Sequence, residues 1–224
     1  MARFNEIGTA IIPGKGTQLR LLQRNDEFSI KIAGTTGELM NSRIHGSEDA
    51  LATLACERIA DQPSPRVLIG GLGMGFTLAA ALTALDKDAR VTVAELVPEV
   101  EVWNRGPLGA AAGNPLADPR ASVHIGDVAE LLKSSDCEWD AILLDVDNGP
   151  EGLTRKENNW IYSPAGIAAA QKSLRPEGIL AYWSAGPEHA FTERLRRAGF
   201  SVEPVTVRAL RPGKGARHVI WLAW

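Results

Sequence analysis

From residue 66 onward the chain alternates short, nearly continuous apolar runs with helix-periodic segments, and this alternation limits the fold more than any other feature. The apolar runs cover residues 66–70, 90–95, 122–126, 140–145, 178–184, 200–210 and 218–224. Helical patterns fit between them at 76–85, 98–104, 128–134, 164–174 and 189–198. Runs such as Val-Leu-Ile-Gly and Ala-Ile-Leu-Leu-Asp have no polar alternate position, so both of their faces need cover, as in a parallel sheet flanked by helices. The last two runs have no helix between them. Residues 211–215, Arg-Pro-Gly-Lys-Gly, join them as a hairpin, which sets one strand antiparallel to the rest. The expected fold is α/β, a doubly wound, mostly parallel seven-stranded sheet of the class I AdoMet-dependent methyltransferase-like layout.

Residues 1–46 read differently, as a small β region preceding a domain that spans 47–224. Strands at 18–24 and 28–33 flank a turn at Asn25-Asp26-Glu27, and 37–44 is a third strand. A helix follows with Ser47 as its N-cap and with Glu48 and Asp49 in its first turn. Pro63-Ser64-Pro65 stops it. The formal net charge of −3 is too close to neutral for a protein that coats nucleic acid or an anionic membrane. Two cysteines in unrelated contexts fit a reducing compartment, and no Cys/His set has metal-ligand spacing, so no metal is expected. Neither a leader pattern nor an apolar stretch of membrane-spanning length is read. The expectation is a soluble, cytoplasmic protein.

The stretch Val-Leu-Ile-Gly-Gly-Leu-Gly-Met-Gly-Phe runs from the first parallel strand into a helix. Gly70, Gly71, Gly73 and Gly75 let the backbone turn tightly and approach a ligand, and the helix that follows points its N-terminus at that ligand. Glu95 ends the next strand, where a carboxylate can accept both ribose hydroxyls of a nucleoside. Asp127, followed by Val128, ends the third strand, placed to accept from an adenine amino group and also to cap its helix. Glycine loop, acid, acid at successive strand ends points to adenosine binding. The absence of Gly-Lys-Ser/Thr from the loop argues against a nucleoside triphosphate. Asp145 and Asp147 stand at the tip of the fourth strand, and Asn148-Gly149-Pro150 opens the loop after it. A carboxylate there can orient an amine and take its proton, as attack on a sulfonium carbon requires.

With these residues in view, residues 44–224 resemble the spermidine synthase (polyamine aminopropyltransferase) family. The matching stretches are Gly-Gly-Leu-Gly-Met-Gly at 70–75, Ala-Glu-Leu at 94–96, Gly-Asp-Val at 126–128 and Asp-Val-Asp-Asn-Gly-Pro at 145–150. The resemblance implies that Glu95 holds the ribose, Asp127 the adenine and Asp145 the attacking amine. AdoMet or its decarboxylated form would be the co-substrate, a small amine the acceptor, and a homodimer the assembly. Asp147, Asn148, Trp160 and Tyr162 are the candidate acceptor-side residues.

Two departures bear on the donor. The family's loop aspartate, which meets the amine of decarboxylated AdoMet, falls at Gly73, and its glutamine before the first helix falls near Arg43. An anion lost and a cation gained favour a donor that keeps its carboxylate, since arginine pairs with a carboxylate bidentately. The leading expectation, which follows from the resemblance, is transfer of an alkyl, aminopropyl-type group to an amine, and Gly73 and Arg43 favour the alternative. Methyl transfer from intact AdoMet is the alternative, and a non-catalytic nucleoside-binding module a further one.

Overall fold

The computed structural model describes residues 3–35, 37–146, 160–210 and 214–224. Four strands, β1 (Asn5–Ile11), β2 (Gln18–Arg24), β3 (Glu27–Ile32) and β4 (Glu38–Asn41), form an antiparallel sheet in sequence order. β1 was not expected. Its side chains are mostly exposed, with Ala10 alone buried, and a register shift between Glu6 and Gly8 breaks its alternation. Such an edge strand has no hydrophobic signature because one neighbour, β2, holds it through the backbone.

Helix α1 (Gly46–Glu57) carries the chain to the second sheet. It begins two residues earlier than expected. His45, not Ser47, occupies the N-cap position, and Ser47 is wholly buried inside the first turn. Its hydroxyl is drawn to tertiary partners, which a local capping rule cannot foresee.

The second sheet has seven strands in the order β10-β11-β9-β8-β5-β6-β7. They are β5 (Arg66–Gly70), β6 (Arg90–Glu95), β7 (Ala121–Ile125), β8 (Trp139–Leu144), β9 (Leu174–Ser184), β10 (Val202–Arg208) and β11 (Arg217–Ala223). Helices α2 (Phe76–Ala84), α3 (Pro98–Arg105), α4 (Val128–Ser134), α5 (Pro164–Ser173) and α6 (His189–Arg197) complete it. β5 pairs in parallel with both β6 and β8, and β11 runs antiparallel to β9 and β10, so the expected architecture holds. Every residue of β8 is buried, which is why its sequence shows no alternation. β9 starts directly at the end of α5, four residues before the expected position. Among the described residues no helix is long and apolar enough to cross a membrane.

Each face of the large sheet has its own apolar core. Val67, Ile69, Val91 and Val93 point to one side with Leu51 and Ala55 of α1 and Leu78 of α2. Leu68, Ile142 and Leu180 point to the other with Ile167 of α5 and Leu195 of α6. Leu19, Leu21, Phe28 and Ile30 of the small sheet join the first core, so that sheet is anchored over the same face as α1 and α2. Fully burying a side chain of this size stabilises by about 1.5–3 kcal/mol.

Candidate active site

A cavity of about 210 Å³ opens where β5, β6 and β8 end, beside the β7–α4 turn. Open α/β sheets place ligands at this point, where the strand order reverses and helix crossovers leave on opposite sides. Leu19, Ile30 and Leu39 of the small sheet, with Ile12 just after β1, supply an apolar roof.

The glycine loop forms the floor. Gly71 has φ +93°, and a Cβ on it would lie 2.3 Å from the Asp145 carbonyl oxygen. The backbone there is threaded between two strand tips: Gly71 N–H donates to Ala94 O at 2.8 Å, and Asp145 N–H donates to Gly70 O at 2.9 Å. Gly73 has φ +53°, and its carbonyl accepts from Asn104 Nδ2 at 2.9 Å. Asn104 sits on the buried face of α3 with Val100 and Trp103. Sequence reasoning missed it, although a polar residue on an otherwise apolar helix face was the signal available.

Glu95 is 7% exposed, and both of its oxygens are engaged. Oε2 accepts from Leu72 N–H at 3.0 Å and Oε1 from Val97 N–H at 2.8 Å. Burial raises its pKa, and the backbone donors partly offset that rise. Asp127 accepts from Ala129 N–H at 2.9 Å, capping α4, while also lining the cavity beside Gly126 and Val128. The structure therefore brings Gly71, Gly73, Glu95, Asp127 and Val128 to one wall. Gly70 and Gly75 flank the loop and fix its two ends, Gly75 as the N-cap of α2.

Asp145, directly after β8, faces the same space and accepts from the Thr77 hydroxyl at 2.8 Å. Burial, reinforced by the negative charge of Glu48, pushes its carboxyl up to about 7 against the Thr77 hydrogen bond. Glu48, in the first turn of α1, is the second acid at this end of the cavity. Its pKa is also raised, chiefly by burial. The Ser47 hydroxyl donates to Glu48 Oε2 at 2.6 Å, and His218 Nδ1 of β11 lies 2.9 Å from the same hydroxyl. Trp183 lines the cavity, with the His218 ring edge-on to it at 4.7 Å. Glu48 and Trp183 were read from sequence as a helix-start charge and a packing residue. Nothing local marks either as cavity-lining, because α1 and β9 meet only in the folded chain.

Other expected site residues lie elsewhere. The Arg43 side chain is 68% exposed, 3.5 Å from the Glu27 carboxylate, and does not line the cavity. Met40 occupies the place expected of it: its sulfur is 3.2 Å from where a Cβ of Gly73 would stand. Tyr162 is 2% exposed and packs with Tyr182 and Phe191 in the second core, where a large ring gains more from burial than from facing an open site. Trp160 is half-buried beneath the Lys133 ammonium, 4.5 Å from its ring centre, and is not among the cavity-lining residues. Asp147 and Asn148 lie outside the described residues.

No protein-family model matches the chain. In sequence it is similar to a polyamine aminopropyltransferase of Thermococcus onnurineus (strain NA1), 32% identical over 136 residues. That match covers 59% of this chain and 45% of the relative, so it spans less than half of that protein's length. In shape it is similar to a spermidine synthase solved in complex with the transition state analogue AdoDATO, with TM-score 0.73 and 18% identity over 99% of this chain and 73% of that one. The spermidine synthase from Thermotoga maritima gives TM-score 0.74 and 16% identity over 97% and 71% of the two chains. Sequence and fold are thus both similar to the spermidine synthase family, the one that the motifs resemble.

Proposed function

We propose that the protein transfers an aminopropyl-type group from decarboxylated AdoMet to a small amine. The observation that carries this reading is the charge of the cavity: Glu48, Glu95, Asp127 and Asp145 line it, with no lysine, arginine or histidine among the described lining residues. Both donors carry an ammonium on the tail, but the carboxylate of intact AdoMet would place a further acid in a partly desolvated, already acidic space. The argument for intact AdoMet rested on Arg43 facing that tail, and the exposed position of Arg43 removes its cation.

In this reading the adenosine half lies along the glycine loop, its ribose on Glu95 and its adenine near Asp127. Asp145 takes a proton from the acceptor ammonium, a role suited to a carboxyl that titrates close to neutrality. The amine lone pair then forms a C–N bond to the carbon next to the sulfonium, the C–S bond breaks, and its electrons stay on sulfur as a neutral thioether. The apolar roof excludes water, and the walls hold the reactants in line. A homodimer, which the resemblance implies, would cover exposed Ile7 and Ile11 on the β1 edge.

Titration calorimetry with AdoMet, decarboxylated AdoMet and methylthioadenosine tests the proposal. The decarboxylated donor and methylthioadenosine should bind, and AdoMet at least about tenfold more weakly than the decarboxylated donor. Tighter binding of AdoMet would overturn the donor assignment. No binding of any of the three would overturn the reading as a whole.

A further inference from the structure

The four cavity carboxylates divide into two kinds. Glu95 and Asp127 are answered by backbone N–H groups of their own neighbourhoods. Asp145 and Glu48 come from elements far apart in sequence, the end of β8 and the first turn of α1, and each is met by a side-chain hydroxyl, Thr77 and Ser47 respectively. The charge of Glu48 acts on Asp145, and two further groups act on Glu48 itself, Asp49 and His45. Two carboxylates facing one partly desolvated space repel each other unless a cation lies between them.

We infer that Glu48 and Asp145 jointly seat one primary alkylammonium, with Ser47 and His218 positioning the Glu48 carboxylate. This rests on the proposed aminopropyl-type reading of the same cavity and names a residue which that reading leaves without a role. An ammonium has three N–H donors in a compact head, enough to bond both carboxylates at once. Ser47 is wholly buried, and its hydroxyl bridges Glu48 and His218, which restricts the rotamer of a side chain that would otherwise swing with solvent. His218 is in turn packed edge-on against Trp183.

Trp183 supplies an independent sign that a ligand belongs here. It is 9% exposed, lines the same cavity, and its Nε1 is buried without a hydrogen-bond partner among the described residues. A buried indole N–H is ordinarily paired, so this one is a donor left for a lone pair on a bound molecule. The ammonium has two chemical sources, the tail of the donor or the head of the acceptor amine.

Calorimetry on the full chain separates them with three probes: methylthioadenosine, an adenosine thioether bearing a 3-aminopropyl tail, and 1,4-diaminobutane added to protein saturated with methylthioadenosine. Glu48→Gln should leave methylthioadenosine binding unchanged and weaken one of the two ammonium probes by about tenfold. A loss on the thioether assigns the seat to the donor tail, and a loss on the diamine assigns it to the acceptor. Ser47→Ala should weaken the same probe by about threefold, again without effect on methylthioadenosine. Glu48→Asp, which keeps the charge but draws it back, serves if Glu48→Gln does not fold, with a smaller loss on that probe expected. Unchanged affinity for both ammonium probes, or an equal loss for methylthioadenosine, would overturn the inference while leaving the nucleoside reading intact. Failure of the unmodified protein to bind methylthioadenosine would instead overturn that reading, and the inference with it. The unmodified protein also gives a check that needs no variant. Removing the ammonium groups, as a butyl tail on the thioether or as 1,4-butanediol in place of the diamine, should cost about tenfold in the arm that responds. Equal affinity in both arms would overturn the inference.

Discussion

The two ends of the cavity are built by opposite rules. At the end proposed to hold the nucleoside the acids are satisfied without a ligand, Glu95 by two backbone N–H groups and Asp127 by the start of α4. At the end proposed to hold the amine, Asp145 and Glu48 are held by hydroxyls and set against each other, and burial raises the pKa of both. The contrast separates shape from charge. The first end is a rigid acceptor surface whose geometry exists in the empty protein, and the second is a charge imbalance that a cation relieves.

The sharpest way to break this contrast is Asp145→Asn. If Asp145 is the proton acceptor, turnover should fall by about 10²–10⁴, while affinity for methylthioadenosine stays within about twofold. Equal losses in both would make the two ends one unit and defeat the distinction.

At the other end, Glu95→Ala should weaken methylthioadenosine binding by about 1–3 kcal/mol, because it also strips the partner from the Leu72 and Val97 N–H groups. The thermal unfolding temperature should drop alongside, since those donors lie in two buried turns, after β5 and after β6. A binding loss without a stability loss would mean that Glu95 meets only the ligand.

The pH dependence of stability sharpens the electrostatic side. Asp145 has a folded-state pKa raised from its ordinary value to about 7, so its contribution is fully present below the ordinary value and is lost as pH rises towards 7. Relative to the unmodified protein, Asp145→Asn should therefore gain stability between about pH 4 and pH 7, by about 2 kcal/mol once the side open to the cavity is discounted. Differential scanning calorimetry of both proteins across that range would show the gap widening with pH. A constant gap would place the charge repulsion elsewhere.

The smallest effect is expected outside the cavity. Arg43→Gln should change donor affinity by less than about 0.5 kcal/mol, since the exposed guanidinium pairs with Glu27 and not with the site. A shift in preference between AdoMet and decarboxylated AdoMet in this variant would restore Arg43 to the donor's tail.

How much of this was legible beforehand follows from the range of each interaction. That the glycine loop, Glu95 and Asp127 meet at one cavity was legible because each ends a strand, and strand ends of a parallel sheet converge at one edge whatever the side chains between them. Local sequence was a sufficient guide there. It failed at β1, whose place is set by pairing with β2 and not by its own pattern, and at Ser47, which looks like a cap until His218 is brought to it from 171 positions along the chain. Tyr162 and Arg43 were misplaced for a related reason: residue type states what a side chain is able to do, not which face it turns to.

By itself the sequence determined the doubly wound sheet, the closing antiparallel strand and the convergence of the glycine loop, Glu95 and Asp127 on one wall, since all three follow from short-range periodicity and the order of elements. Only the tertiary structure decided that Glu48 and Asp145 share one end of the cavity. Whether Glu48 joins Asp145, and whether any cation balances them, depends on how α1 packs beside α2 and against β8 and β9. That placement is fixed by packing in a shared apolar core, where contacts between residues remote in sequence outweigh any local preference.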